Sequence, residues 1–167
     1  MHAREIRNGI ENIAMIHWER RLFDSLVPLP DGTSYNAYLV KGQDATALID
    51  SADPVLQDEL MEQLRDVPRI DYVVSQHSEQ DHSGAIPLVL ERFPNAKLVC
   101  SGKAKDLLMT HLGVSEDRLV TMEDGQTIAL GGKTLQFVHT PWVHWPETMC
   151  TYIPEDKCLF TCDFFGS

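Results

Sequence analysis

Asp71-Tyr72-Val73-Val74-Ser75-Gln76-His77-Ser78-Glu79-Gln80-Asp81-His82-Ser83-Gly84 runs from an apolar stretch into a cluster of acids and imidazoles. The apolar part predicts a buried strand over 71–75, and Ser83 to Arg92, stopped near Pro94, predicts a helix. Loops between strand and helix are where α/β proteins hold ligands. His77, Glu79, Asp81 and His82 are potential metal ligands here, and alternate spacing at 77, 79 and 81 turns three of them to one side of an extended segment. Gly84, without a side chain, would let the backbone approach a bound centre closely. A polar loop that merely happened to hold these groups would set carboxylates side by side with no cation to relieve their repulsion. The cluster therefore reads as a metal site. Its mixed nitrogen and oxygen donors suit iron, manganese or zinc better than calcium or copper.

Upstream, residues 13–18 predict a first strand, followed by a long connection through Pro28, Pro30 and Gly32. Residues 36–41 and 46–50 predict a hairpin around Gly42-Gln43-Asp44-Ala45. Asp53-Pro54 has the chemistry of a helix start, and Leu56, Leu60, Met61 and Leu64 make one apolar face that Pro68 ends. Downstream, 97–100 predicts a strand, and Ser101 caps a helix reaching Leu112 with Gly113 as its stop. Strands follow at 118–122, 126–130 and 134–139, then a hairpin of 149–153 and 158–162. This is a mixed α/β order in which helices cover sheet. Phe164-Phe165-Gly166-Ser167 comes straight after a strand, so further sequence is expected beyond it.

Composition sets the outer limits. The 167 residues suit one domain over 1–167, and a 43% hydrophobic content can build its core. With 14 basic and 25 acidic residues the net charge is −11, which offers no surface for tracking phosphates and argues against nucleic acid as a partner. No apolar run approaches the roughly 18 residues of a membrane span, and Met1-His2-Ala3-Arg4-Glu5 lacks the apolar region of a secretory signal. Cys100, Cys150, Cys158 and Cys162 form no Cys-x-x-Cys pair; three of them sit in apolar, strand-like surroundings and read as buried free thiols, and the compartment reads as reducing and cytoplasmic.

Two more positions join the cluster. His144 lies in the turn Thr140-Pro141-Trp142-Val143-His144-Trp145-Pro146, where the two indoles could dry and shape a pocket or serve as plain core aromatics. Asp163 emerges from the apolar strand Cys158-Leu159-Phe160-Thr161-Cys162. Alone, such a histidine is more often structural and such an acid more often a cap. Beside the first cluster both read as ligands.

His77-x-Glu79-x-Asp81 followed by His144 and Asp163 resembles the flavodiiron proteins. The phrases Ser34-Tyr35-Asn36-Ala37-Tyr38-Leu39, Ala47-Leu48-Ile49-Asp50, His144-Trp145-Pro146-Glu147-Thr148-Met149 and Asp163-Phe164-Phe165-Gly166 agree in register. The resemblance covers nearly the whole chain. It implies a metallo-β-lactamase-like αββα sandwich, incomplete at its C-terminal end. It implies reduction of dioxygen to water, or of nitric oxide to nitrous oxide, at a non-haem centre of two iron ions. By matching positions, His77, Glu79 and His144 would bind one iron, Asp81 the other, and Asp163 would bridge them; His82 adjoins the pattern and ligates iron in some members only. A last ligand histidine, and the flavodoxin-like domain that holds FMN, would lie further along. The same resemblance implies a head-to-tail homodimer and an electron donor such as rubredoxin or a flavin/NAD(P)H reductase.

Glu79 decides between chemistries. Hydrolytic relatives carry His-x-His-x-Asp-His, with a neutral ligand where Glu79 stands. Three carboxylates facing two dications leave a single net positive charge, whereas a histidine at 79 would leave two. The added anion favours iron cycling between ferrous and ferric and weakens the Lewis acidity that a hydrolase needs. The competing expectations are a diiron oxygen sensor without flavodoxin, a zinc-dependent hydrolase and a metal-free remnant.

Overall fold

The computed structural model describes residues 3–164, so the expectations for Met1, His2 and Phe165 to Ser167 lie outside it. β1 (Arg4–Arg7) and β2 (Ile10–His17) pair antiparallel, and β3 (Leu22–Phe23) and β4 (Val27–Pro28) make a small ribbon in the proline-rich connection. β5 (Thr33–Lys41) and β6 (Thr46–Ile49) form the expected hairpin. The carboxylate of Asp53 then accepts the Val55 amide at 3.0 Å, opening a 3-10 turn over Pro54–Leu56 that leads into α1 (Gln57–Gln63). The alternation continues as β7 (Tyr72–Val74), α2 (Gln80–Ser83), α3 (Ile86–Arg92), β8 (Lys97–Ser101), α4 (Lys105–Leu112) and β9 (Leu119–Met122). β10 (Thr127–Ala129), β11 (Thr134–His139), β12 (Met149–Ile153) and β13 (Cys158–Phe160) complete the described chain.

Two large sheets result. One has seven strands in the order β1-β2-β5-β6-β7-β8-β9, parallel from β6 onward; the other is β10-β11-β12-β13, antiparallel throughout. Parallel strands are apolar on both faces because both are covered. Leu48, Val73 and Leu98 pack against Leu60, Ile86, Val89 and Leu108 of the helices. Their neighbours Ile49, Val74 and Val99 pack against Leu135, Phe137, Met149 and Phe160 of the second sheet. The described residues thus supply helix, sheet and sheet, three successive layers of the expected αββα order.

Three expectations need correction. The β1–β2 pairing, with β2 starting at Ile10, extends the predicted first strand backward into a charged segment. The helix predicted over 83–92 is two, because Pro87 in the first turn of α3 has no amide to give and cannot continue α2. Ser101 belongs to β8, although its hydroxyl still accepts the Ala104 amide at 3.3 Å.

Candidate metal centre

The segment after β7 is fastened to both sheets. The Gln76 amide and side-chain amide each donate to the Asp50 carboxylate at 2.9 Å, and the Met149 amide of β12 donates to the Gln76 carbonyl at 2.9 Å. From there the chain is extended through Glu79 and turns helical at Gln80. The expected one-sided extended segment therefore stops at Glu79: His77 and Glu79 face one donor group, while Asp81 and His82 enter another from α2. Helix α2 is held in turn by Ser51, whose amide and hydroxyl both donate to the His82 carbonyl at 2.7 Å.

The structure brings together all six expected residues. In the first group, Glu79 Oε2 lies 2.9 Å from His77 Nε2 and 3.4 Å from His144 Nε2, and Asp163 Oδ2 lies 3.1 Å from His144 Nε2 and 4.0 Å from His77 Nε2. One ligand atom from each of these four residues falls within 4.8 Å of the others. In the second group, His82 Nε2 lies 2.5 Å from Asp163 Oδ1 and 3.7 Å from Asp81 Oδ2. Asp163 therefore presents one carboxylate oxygen to each group. It stands just past β13, in a turn that follows Cys162 at φ +53°.

The electrostatics are those of a crowded acidic site. Burial raises the Asp81 carboxyl to about 6; His82 opposes this, while the nearby Glu79 and Asp163 charges add to it. Burial would lower both His77 and His82, yet hydrogen bonds with Glu147 and Glu79 in one case, and with Asp163 in the other, lift each to about 9. Burial would likewise raise Asp163, but the His82 hydrogen bond and the surrounding imidazoles bring it below its usual value. Asp81 Oδ1 is buried without a hydrogen-bond partner. Carboxylates converging on imidazoles, with an acceptor oxygen left over, fit a pair of metal ions that prefer nitrogen and oxygen donors.

Sequence reasoning gave no role to Glu147 or Asp50. Glu147 is buried and accepts from His77 Nδ1 at 3.0 Å, the Ser78 amide at 3.1 Å and the Ser78 hydroxyl at 2.6 Å. Burial opposes its ionisation, but these hydrogen bonds prevail and hold it at about 2. Asp50, buried and at φ +59°, anchors Gln76 as described. Asp50 ends the apolar run Ala47-Leu48-Ile49, and a lone acid there was the available signal; Glu147, between Pro146 and Thr148, carried none. Two other readings fail. Gly84 does not approach the centre: a β-carbon on it would lie 2.4 Å from Pro54 Cδ, so the glycine serves packing of α2. Trp142 is 75% exposed and neither dries the site nor joins the core, whereas Trp145 does meet His77, edge to face at 4.8 Å between ring centres.

A family model described as ODP family beta lactamase matches residues 33–167. The structure of the flavodiiron protein from Giardia intestinalis superposes over 99% of this chain with a TM-score of 0.92 and 30% identity. This chain belongs to the flavodiiron family. Among curated relatives, the coenzyme F420H(2) oxidase of Methanothermobacter marburgensis is 39% identical over 98% of the chain, and the nitric oxide reductase of Moorella thermoacetica 35% identical over 96%. The rubredoxin oxygen:oxidoreductase of Desulfovibrio gigas superposes over 95% of the chain with a TM-score of 0.88 and 32% identity. The chain spans 42% and 41% of the lengths of the two curated relatives, and 41% of the Giardia chain. Among the described residues, no helix is long and apolar enough to cross a membrane.

Proposed function

We propose that this flavodiiron domain reduces dioxygen to water, nitric oxide to nitrous oxide, or both, at a non-haem pair of iron ions. One observation carries the proposal: a single carboxylate, Asp163, sets Oδ1 against His82 Nε2 and Oδ2 against His144 Nε2, as a bridging ligand must. His77, Glu79 and His144 would hold one iron, Asp81 and His82 the other, with Asp163 shared between them. Ferrous ions held there would supply electrons to a diatomic substrate. Glu79 provides the extra anionic oxygen that favours redox cycling over Lewis-acid hydrolysis. Trp145 meets His77 edge to face, and His144 stands partly exposed at the rim of the site.

The relatives' names, which include a nitric oxide reductase and an oxygen:oxidoreductase, support the same reaction class. In a whole protein built like these relatives, FMN in a flavodoxin-like domain would supply the electrons, and rubredoxin or a flavin/NAD(P)H reductase would be the donor to it. Subunits pair head to tail as a homodimer in the cytoplasm. Anaerobic iron loading of the full-length protein, followed by metal analysis and assays of O2 and NO consumption with reduced flavin, tests this. Two irons per chain with iron-dependent turnover is the expected result. Stoichiometric zinc that supports ester or lactam hydrolysis, without iron-dependent gas consumption, overturns it.

A further inference from the structure

Glu147 contributes no ligand to the proposed centre, yet it is among the most deeply enclosed carboxylates in the chain: its side chain and that of His77 are both 0% exposed. We infer that Glu147 is the positioning residue for His77, fixing both the ring's orientation and its tautomer so that Nε2 is the atom offered to metal. The inference rests on the metal reading of the site and adds a residue to it. Glu147 Oε1 accepts the Ser78 amide and hydroxyl, so it faces His77 as an acceptor, and the 3.0 Å contact requires a hydrogen on His77 Nδ1. Once Nδ1 carries the hydrogen in a neutral ring, the lone pair lies on Nε2. That atom points at Glu79 Oε2, 2.9 Å away, and toward Asp163.

Glu147 can impose this because it is itself fixed. Its Oε1 also accepts the Ser78 amide and hydroxyl, and its carbonyl accepts the Ser101 hydroxyl at 2.8 Å, tying the turn before β12 to the end of β8. Trp145 packs against the His77 ring, edge to face at 4.8 Å between ring centres. His82 has no such support. Its Nδ1 meets Cys162 Sγ at 3.6 Å and Asp50 Oδ2 at 3.9 Å, and both Asp50 oxygens already accept hydrogen bonds from Gln76. The two imidazoles are thus unequal, and His82 serves as an internal reference. Carboxylates behind ligand histidines change metal affinity by roughly 10–100-fold when removed.

The test uses the complete chain with nitrogen-15-labelled histidine and zinc as a diamagnetic stand-in for iron. Wild-type protein should show His77 bound through Nε2, with a downfield, slowly exchanging Nδ1–H. Glu147→Ala should weaken zinc binding about 10–100-fold and lose the His77 Nδ1–H signal while His82 signals stay in place. Glu147→Gln keeps an acceptor oxygen of the same reach without the charge, so it should retain the signal and most of the affinity. Zinc bound to His77 through Nδ1 in wild type overturns the inference. So does an Ala variant with affinity within about twofold of wild type and its Nδ1–H intact. Should Glu147→Ala not fold, loss of the His77 signal in a folded Glu147→Gln protein overturns it as well. Failure of wild type to bind either zinc or iron would instead remove the metal reading, and this inference with it.

Discussion

Raising the pH from 6.5 to about 9 should destabilise the metal-free protein and leave the metal-loaded protein nearly unchanged. In the metal-free fold, burial opposes charge on His77 and His82, but hydrogen bonds with Glu147, Glu79 and Asp163 raise each imidazole from 6.5 to about 9. A raised histidine stabilises the folded state fully below its unfolded value and loses that contribution as pH climbs through the folded one. At about 1.36 kcal/mol for each unit, the effect is about 3 kcal/mol per imidazole. Of the neighbouring acids, Glu147, at about 2, is ionised far below this window, while Asp81, at about 6, finishes ionising at its lower edge and adds slightly to the same loss. Metal requires both rings neutral, so loading at pH 7 should expel about two protons. Chemical denaturation of chelator-treated protein at pH 6.5, 7.5 and 9 measures the first effect. Calorimetric metal titration in buffers of different ionisation enthalpy measures the second. Stability of the metal-free protein that stays flat or rises across this window, or metal uptake without proton release, would refute the reasoning.

Asp163→Ala should abolish the paired iron site, whereas His82→Ala should spare the iron held by His77, Glu79 and His144; metal analysis of anaerobically loaded protein separates the two. Gly84→Ala places a β-carbon 2.4 Å from Pro54 Cδ and 2.5 Å from the Gln80 carbonyl, and should cost about 1–3 kcal/mol in a thermal melt. Arg20→Ala strips the 2.7 Å ion pair from Asp53 and the 2.8 Å hydrogen bond from Tyr35, in a pair only 18% and 8% exposed. A loss of about 3 kcal/mol is expected by denaturation. The full-length protein should sediment as a dimer, and full flavin-dependent turnover by a monomer at high dilution would contradict the head-to-tail pairing.

The strands and the candidate site were legible for related reasons. Apolar runs such as Val73-Val74 and Leu98-Val99 admit only a sheet covered on both faces, and β7 and β8 occupy that sheet. His77, Glu79, Asp81 and His82 were legible because charge of that density is costly without a cation. What escaped was set by contacts distant in sequence. Glu147 lies 70 positions from His77, and nothing local to Pro146-Glu147-Thr148 distinguishes an imidazole's partner from an exposed acid. Gly84 was misread because its neighbour is Pro54, brought up by the packing of α2 on the turn before α1. Trp142 was misread because aromatic residues signal burial in general, whereas this turn leaves its indole in solvent.

Asp163 follows the last strand of the four-stranded sheet, while His77 to His82 hang from the seven-stranded one. The proposed ligand set is thus divided between two sheets, and the thickness of the apolar layer separating them acts as a gauge on the distance between its halves. Val74, Val99, Phe137 and Met149 fill that layer. Interiors packed this closely resist compression and transmit small changes in volume. Adding or removing a methylene at Phe137 or Met149, neither of which is a ligand, would move Asp163 relative to His82 and retune the span its carboxylate must bridge. The hydrophobic core of this sandwich is in that sense part of the candidate site's geometry.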